Sequence, residues 1–211
     1  VRTVVNANEA AHFEYGASKA AKCIFNLMND ITEGITELKL ADYLNTDGQP
    51  LSVQSICASG ERFTNAVVAP RNKKVKKGEY ISVTMGLRGG LTCRTGFVVE
   101  GIESLPNEQK EYVEQVVKPY FSALATWYSG VGIGTSAGEV YKSIEDVIPK
   151  NRYGWKLNPG HLTASEEWLS SPFYPASNII LKSGMMIQMD IIISVPGFSG
   201  VNAEDLSLIH I

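Results

Sequence analysis

Three side chains in the second half of the sequence, His161, Asp190 and Glu204, have the types to hold a divalent cation. A neutral imidazole offers a nitrogen donor and carboxylates offer oxygens, the ligand set of a hard-cation or zinc-type site. His161 follows the pair Pro159-Gly160 at the start of an expected strand. The three residues are far apart in sequence, so a surface histidine beside unrelated acids is the competing reading. Arg94 carries a planar donor fork suited to a substrate carboxylate. Its neighbour Cys93 lies near the glycine-rich stretch Gly86-Leu-Arg-Gly-Gly90, which would admit a ligand, and an adjacent guanidinium favours a thiolate. Against a nucleophilic Cys93 stand the lack of an evident partner histidine and the habit of strand cysteines of turning into a core.

These residues must be positioned by a chain that says part of itself twice. Val75-Lys-Lys-Gly78-Glu-Tyr-Ile81-Ser-Val83-Thr84 lines up with Leu181-Lys-Ser-Gly184-Met-Met-Ile187-Gln-Met189-Asp190. Upstream, Gly34-Ile-Thr36-Glu-Leu-Lys-Leu40 echoes Gly134-Thr-Ser136-Ala-Gly-Glu-Val140, and Ser59-Gly60 echoes Pro159-Gly160. Such an echo predicts a pseudo-twofold fold, with halves at about 8–100 and 106–205 and a site between them. Thr84 stands in the first half where the second offers Asp190. One of two opposed carboxylates is missing.

Local patterns supply the elements. Apolar residues at Ala10, Phe13, Ala17, Ala20, Ala21, Ile24 and Leu27 predict an amphipathic helix from Asn8 to about Met28. Thr36 is placed to cap a second helix reaching Leu44, closed by the turn Asn45-Thr-Asp-Gly48. Strands are expected over 51–58, 80–85 and 96–100. In the second half a long helix is expected from Pro106 to about Tyr128 with a kink at Pro119. A helix over 136–147 and strands over 157–162 and 185–194 follow. Helices alternating with antiparallel strands make an α+β pattern rather than a series of parallel crossovers.

The whole chain sets the bounds. Its 211 residues, 44% apolar and 19% charged, suit one large domain or two small, intimately packed halves. A net charge of −3 argues against nucleic acid as the main partner. The basic run Arg71-Asn-Lys-Lys-Val-Lys-Lys77 reads as a solvated turn before a strand. No apolar run has the length of a membrane span, and three widely spaced cysteines, Cys23, Cys57 and Cys93, fit reduced thiols in a cytoplasmic protein. Because Val1 is not an initiator methionine, a fragment of a longer chain is expected.

Order and spacing of motifs carry a family resemblance over nearly the whole sequence. Gly184-Met-Met-Ile-Gln-Met-Asp190, Pro196-Gly197 and Gly200-Val-Asn-Ala-Glu204-Asp205 resemble the closing segments of the creatinase, aminopeptidase P and methionine aminopeptidase family. Gly160-His161 resembles that family's "GHG.G" segment, with Leu162 and Ala164 at its glycines. Leu91-Thr-Cys-Arg94-Thr95 resembles its "DITRT" strand. The resemblance implies a pita-bread fold, with a curved antiparallel sheet covered by helices. It also implies a pair of metal ions held by two Asp, one His and two Glu. Carried across, His161 matches the His, Asp190 the first Glu and Glu204 the second, while the two Asp positions fall on Thr84 and Leu91. Glu166-Glu167-Trp168 falls where relatives have "HE.P", which implies Glu167 as a site-facing acid and Trp168 as a pocket wall. A solvated acidic turn is the alternative.

The implied activity is hydrolysis of short peptides or similar amides, in the manner of Xaa-Pro aminopeptidases and dipeptidases, by a homodimer. With two Asp ligands replaced, the remaining set suits one divalent ion (Mn, Co or Zn) or none. Bridging carboxylates are what hold two ions about 3.5–4 Å apart. Two rivals follow. One is a metal-independent hydrolase of a small nitrogenous substrate, as in creatinase, although that enzyme's catalytic histidine would fall near Val67-Val68. The other is a catalytically silent binding module.

Overall fold

A computed structural model describes residues 3–65, 68–156 and 159–209. In chain order the elements are α1 (Ala7–Asn29), α2 (Glu37–Ala41), β1 (Leu51–Ser59), α3 (Glu61–Thr64), β2 (Tyr80–Leu87) and β3 (Gly90–Phe97). After a 3₁₀ and π-helical stretch come α4 (Lys118–Gly130), α5 (Ala137–Val147), α6 (Lys150–Tyr153), β4 (His161–Leu162), β5 (Met186–Met189) and β6 (Asn202–Leu208). The strands form one antiparallel sheet in the order β1-β2-β3-β6-β5-β4. That order reads the same from either edge, and the seam between halves is the β3–β6 pair.

The sequence echo is an echo of backbone hydrogen bonds. Gly34 N donates to Val75 O at 2.8 Å, and Gly134 N to Leu181 O at 2.9 Å. Glu37 N donates to Lys73 O at 3.0 Å, and Ala137 N to Ile179 O at 2.9 Å. Gly34 and Gly134 share φ +88°, a left-handed turn open to glycine, which is why both copies keep it. The same tether therefore holds the start of α2 to the lead-in of β2, and the start of α5 to the lead-in of β5.

Two cores lie under the helices. Ala20, Ile24 and Leu27 of α1 pack on Val83, Met85 and Leu87 of β2. Tyr120 and Trp127 of α4, Ile144 of α5 and Trp155 pack on Ile187 and Met189 of β5. Strand alternation turns the intervening residues, Ser82 and Thr84 on β2 and Gln188 on β5, to the other face of the sheet. There Ser82 and Thr84 line the cavity described below.

Helix α1 is capped by Asn6, whose side chain accepts from Glu9 N while Glu9 accepts from Asn6 N. Thr36 caps α2, accepting from Lys39 N at 3.1 Å, but the helix stops at Ala41 rather than Leu44. The single helix expected from Pro106 is broken into a 3₁₀ turn at Asn107–Gln109, a π-helical stretch at Val113–Val117, and α4. Pro119 is the physical cause. It has no N–H to give, and its ring crowds the carbonyl four residues back, so the preceding turn widens. Strand β3 begins at Gly90, six residues before the expected start, because Arg88-Gly89 alone make the turn from β2. Of the expected strand over 157–162 only His161 and Leu162 are strand, and 157–158 lie outside the described residues.

Candidate active site

Each acidic or basic side chain of the site has a local reason for its position. Gly160 leads into β4 at φ +112°, and a Cβ there would stand 2.8 Å from Gln188 O. Only glycine lets β4 approach β5 so closely with that backbone, and the approach aims His161 inward. Trp127 clamps the same segment from below, donating to Pro159 O at 2.7 Å. Leu162 N then donates to Ser170 O at 2.8 Å and Leu162 O accepts from Leu169 N at 3.0 Å, so the 163–168 loop folds back over β4. Glu167 and Trp168 ride on that loop.

The donors converge at one end of the sheet. His161 Nε2 lies 3.1 Å from Glu167 Oε1, 3.9 Å from Asp190 Oδ2 and 4.0 Å from Glu204 Oε1. Ligand atoms of His161, Asp190 and Glu204 all lie within 4.8 Å of one another, and all three residues are buried. His161 Nδ1 faces Leu162 O at 3.4 Å, which favours the proton on Nδ1. Nε2 is then a lone pair among carboxylate oxygens, a repulsive arrangement unless a proton or a cation sits between them. Nε2 and Asp190 Oδ1 are buried without a hydrogen bond, and the contact with Glu167 falls outside hydrogen-bond geometry. Unpaired polar atoms aimed at a common point are what a metal ion would satisfy.

Electrostatics follow from the burial. The Asp190 carboxyl is pushed up to about 6 by burial, with the charge of Glu167 adding to the rise and His161 opposing it. Glu204 is held well above the usual carboxylate range by burial and by the charges of Asp190 and Glu167, against a hydrogen bond from Asn202. Both acids carry a strong driving force to accept a cation. The cavity above them has a volume of about 760 Å³, and none of the described residues lining it is Lys or Arg. Phe63, Tyr80, Trp168 and Phe198 supply its aromatic walls. Trp168 is half exposed, and its ring centre lies 5.7 Å from that of His161.

The structure therefore brings together His161, Asp190, Glu204, Glu167 and Trp168. It puts Arg94 elsewhere. Alternation along β3 turns Leu91, Cys93 and Thr95 to the cavity, while Arg94 lines a separate apolar pocket on the helical face. There Arg94 Nη2 donates to Asp205 Oδ2 at 2.7 Å, and Nη1 to the carbonyls of Cys93 and Glu204 at 2.7 and 3.1 Å. With those donors spent across the β3–β6 seam, the expected substrate-carboxylate role does not fit. The Cys93 thiol is pushed up to about 11 by burial and by Glu204, against hydrogen bonds from Thr84, Thr95 and Ser82, which disfavours a nucleophilic thiolate.

Register refines the first-half positions. Thr84 pairs with Cys93, Cys93 pairs with Glu204, and Met189 pairs with Asp205, so the next pair along is Asp190 with Glu204. One row across the sheet thus runs Thr84, Cys93, Glu204, Asp190. The echo relates Thr84 to Asp190, and the same twofold relates Cys93 to Glu204. Leu91, where the resemblance puts the second Asp, lies two residues along the same face, against Gly86. Gln188 is a site residue that sequence reasoning passed over. It is fully buried, donates to Leu91 O at 2.8 Å and touches Glu204, and its place two residues before Asp190 on one strand was the available signal.

The fold and the site define a known class. The sequence model of metallopeptidase family M24 matches residues 11–210, and the chain belongs to that family. It is 27% identical over 222 aligned positions to a Xaa-Pro dipeptidase of Pyrococcus horikoshii, covering 99% of this chain and 60% of that protein. Among solved structures, a Xaa-Pro dipeptidase from Bacillus anthracis superposes with a TM-score of 0.80 at 20% identity, over 99% of this chain and 59% of that one. A prolidase from Pyrococcus furiosus gives 0.75 at 23% identity, over 99% of this chain and 63% of that one. The likeness establishes the pita-bread fold. The chain spans about 60% of the length of these relatives. Among the described residues no helix is long and apolar enough to cross a membrane.

Proposed function

We propose that this chain is the peptidase domain of a Xaa-Pro dipeptidase-like hydrolase that acts on short peptides with one divalent ion. The observation that carries the reading is the buried trio His161, Asp190 and Glu204, whose ligand atoms lie within 4.8 Å with Nε2 and Oδ1 unpaired, beside a cavity that Asp190 and Glu204 line. One imidazole and two carboxylates with room for further ligands suit Mn, Co or Zn. When bound, such an ion polarises the scissile carbonyl and lowers the pKa of a water.

A pair of ions does not fit the same residues. Thr84 and Cys93 occupy the two first-half places in the row, and Leu91 is apolar, so the bridging carboxylates that offset the repulsion of two divalent charges are missing there. The site is accordingly one-sided.

The remaining residues divide the work. Glu167 is less buried than Asp190 or Glu204 and stands at the cavity side of His161. It accepts a proton from the attacking water and returns it to the departing amide nitrogen. Trp168, Phe63, Tyr80 and Phe198 make an apolar wall that suits a proline ring. The free thiols Cys23, Cys57 and Cys93 support a cytoplasmic setting, and a homodimer accompanies the family reading.

A second reading is supported by the absence of Lys and Arg among the described cavity residues. Three carboxylates around one imidazole suit a cationic small substrate, handled without metal by His161 and Glu167. Metal content separates the two. The purified protein is offered Mn, Co and Zn in turn, with His161→Ala as control, and assayed on Xaa-Pro dipeptides. One ion per chain, lost in the control and required for turnover, supports the proposal. Turnover that persists without any ion supports the second reading and overturns the first.

A further inference from the structure

We propose that the Tyr120 hydroxyl on α4 and the Asn202 amide at the start of β6 form a relay that holds Glu204 in its ion-binding orientation. Both are then positioning residues of the metal centre. The proposal rests on the one-ion reading above and extends it to the groups that set the affinity of the site. Tyr120 is fully buried in the core under the helices, on the other face of the sheet from the cavity. Asn202 serves both faces, since it lines the cavity and also the apolar pocket on the helical face. A hydroxyl packed among the helices therefore has a route to a ligand of the ion.

Hydrogen-bond directions fix how the relay is wired. Ala203 N donates to the Tyr120 hydroxyl at 2.9 Å, and a backbone N–H can only donate. The hydroxyl keeps its own proton, which it gives to Asn202 Oδ1 at 3.1 Å. That bond turns the other end of the amide toward Glu204, where Nδ2 donates to Oε2 at 3.5 Å. A flipped amide would set its oxygen against a buried carboxylate oxygen, so the chemistry allows one orientation.

The consequence falls on Glu204. With Oε2 held by Asn202, Oε1 is the oxygen left to face the trio, 4.0 Å from His161 Nε2. A glutamate side chain fixed before the ion arrives spares the ion the cost of ordering it. Partners that orient a metal ligand in this way typically change affinity about 10–100-fold when removed. Gln188 also bonds Glu204 from β5, so loss of the relay loosens the carboxylate without releasing it.

Zinc titration of the full chain against a competing indicator tests this with a readout independent of turnover. Tyr120→Phe removes one oxygen and keeps the ring. The expected result is one ion per chain bound about 10–100-fold more weakly, with a similar loss in Asn202→Ala. The double variant should bind no more weakly than Asn202→Ala alone, because the hydroxyl acts through the amide. Tyr120→Phe also strands Ala203 N and melts lower whether or not the relay operates, so the coupling in affinity decides, not the melt. Unchanged affinity in Tyr120→Phe, or losses that add in full in the double variant, overturn the relay and leave the one-ion reading standing. No zinc bound by the unmodified chain overturns both. Should Tyr120→Phe fold poorly, Asn202→Ala alone decides, and an affinity equal to that of the unmodified chain overturns the proposal.

Discussion

Cys93 on β3 lies directly opposite Glu204 on β6, so the two residues at the centre of the pseudo-twofold are a thiol and a carboxylate rather than two carboxylates. With Thr84 and Asp190 outside them, the row has a neutral half and an acidic half. The double variant Thr84→Asp/Cys93→Asp should restore the balance and raise bound Mn from one ion to two per chain. Two added buried acids repel Glu204 in the metal-free protein, so that form should melt lower and recover with Mn. Elemental analysis with melting curves reads both effects. A folded double variant that still binds a single Mn ion would show that the row does not define the metal positions.

Glu167 and His161 are in contact, and their variants should still separate. Glu167→Gln keeps the shape of the side chain, so metal content should stay at one ion while kcat falls by about 10²–10⁴. His161→Ala should lose the ion and turnover together. A Glu167→Gln enzyme with unchanged kcat would remove Glu167 from proton transfer.

How far the sequence discloses this arrangement depends on what each residue answers to. The duplication is legible because Gly34 and Gly134 sit at the same positive φ, a demand that survives when side chains diverge. The trio is legible because glycine and proline flank His161, and because apolar runs lead to Asp190 and Glu204. Orientation on β3 is not legible. It depends on a two-residue turn at Arg88-Gly89, and a slip of one or two positions exchanges faces or moves a ligand place along the strand. That slip is the difference between Leu91 and Cys93, and between Arg94 as a substrate ligand and Arg94 as a clamp. The break before α4 was signalled by Pro119, but a proline does not say that the chain will answer with a π-helical turn.

Arg94 ties the halves together on the helical face. Arg94→Ala removes its bonds to Asp205 and to the carbonyls of Cys93 and Glu204. The ion pair is about one-third exposed, so solvent screening limits its share, and a loss of about 1–2 kcal/mol is expected, mostly from the carbonyl bonds. Because the side chain faces away from the cavity, KM should be unchanged in the folded variant. Denaturant melts and steady-state kinetics check the two halves of that statement. A large rise in KM without loss of stability would return Arg94 to the substrate site.

Burial of Asp190 makes the metal-free protein sensitive to pH in a defined direction. Its carboxyl protonates near 3.8 when unfolded and at about 6 when folded. The folded state therefore binds the proton more tightly, and stability from this group is fully present below the unfolded value and lost as pH rises through about 6. Glu204 is shifted the same way and carries the loss to higher pH. In chelator, Asp190→Asn should melt higher than the unmodified chain at neutral pH, by on the order of 1–3 kcal/mol, with the gap closing toward about pH 4. Zinc should reverse the order at neutral pH, since the ion binds the carboxylate and not the amide. Thermal melts across this range, with and without zinc, measure both trends. A gap that widens as pH falls would mean that Asp190 is charged and stabilised in the metal-free fold, contrary to its burial among acids.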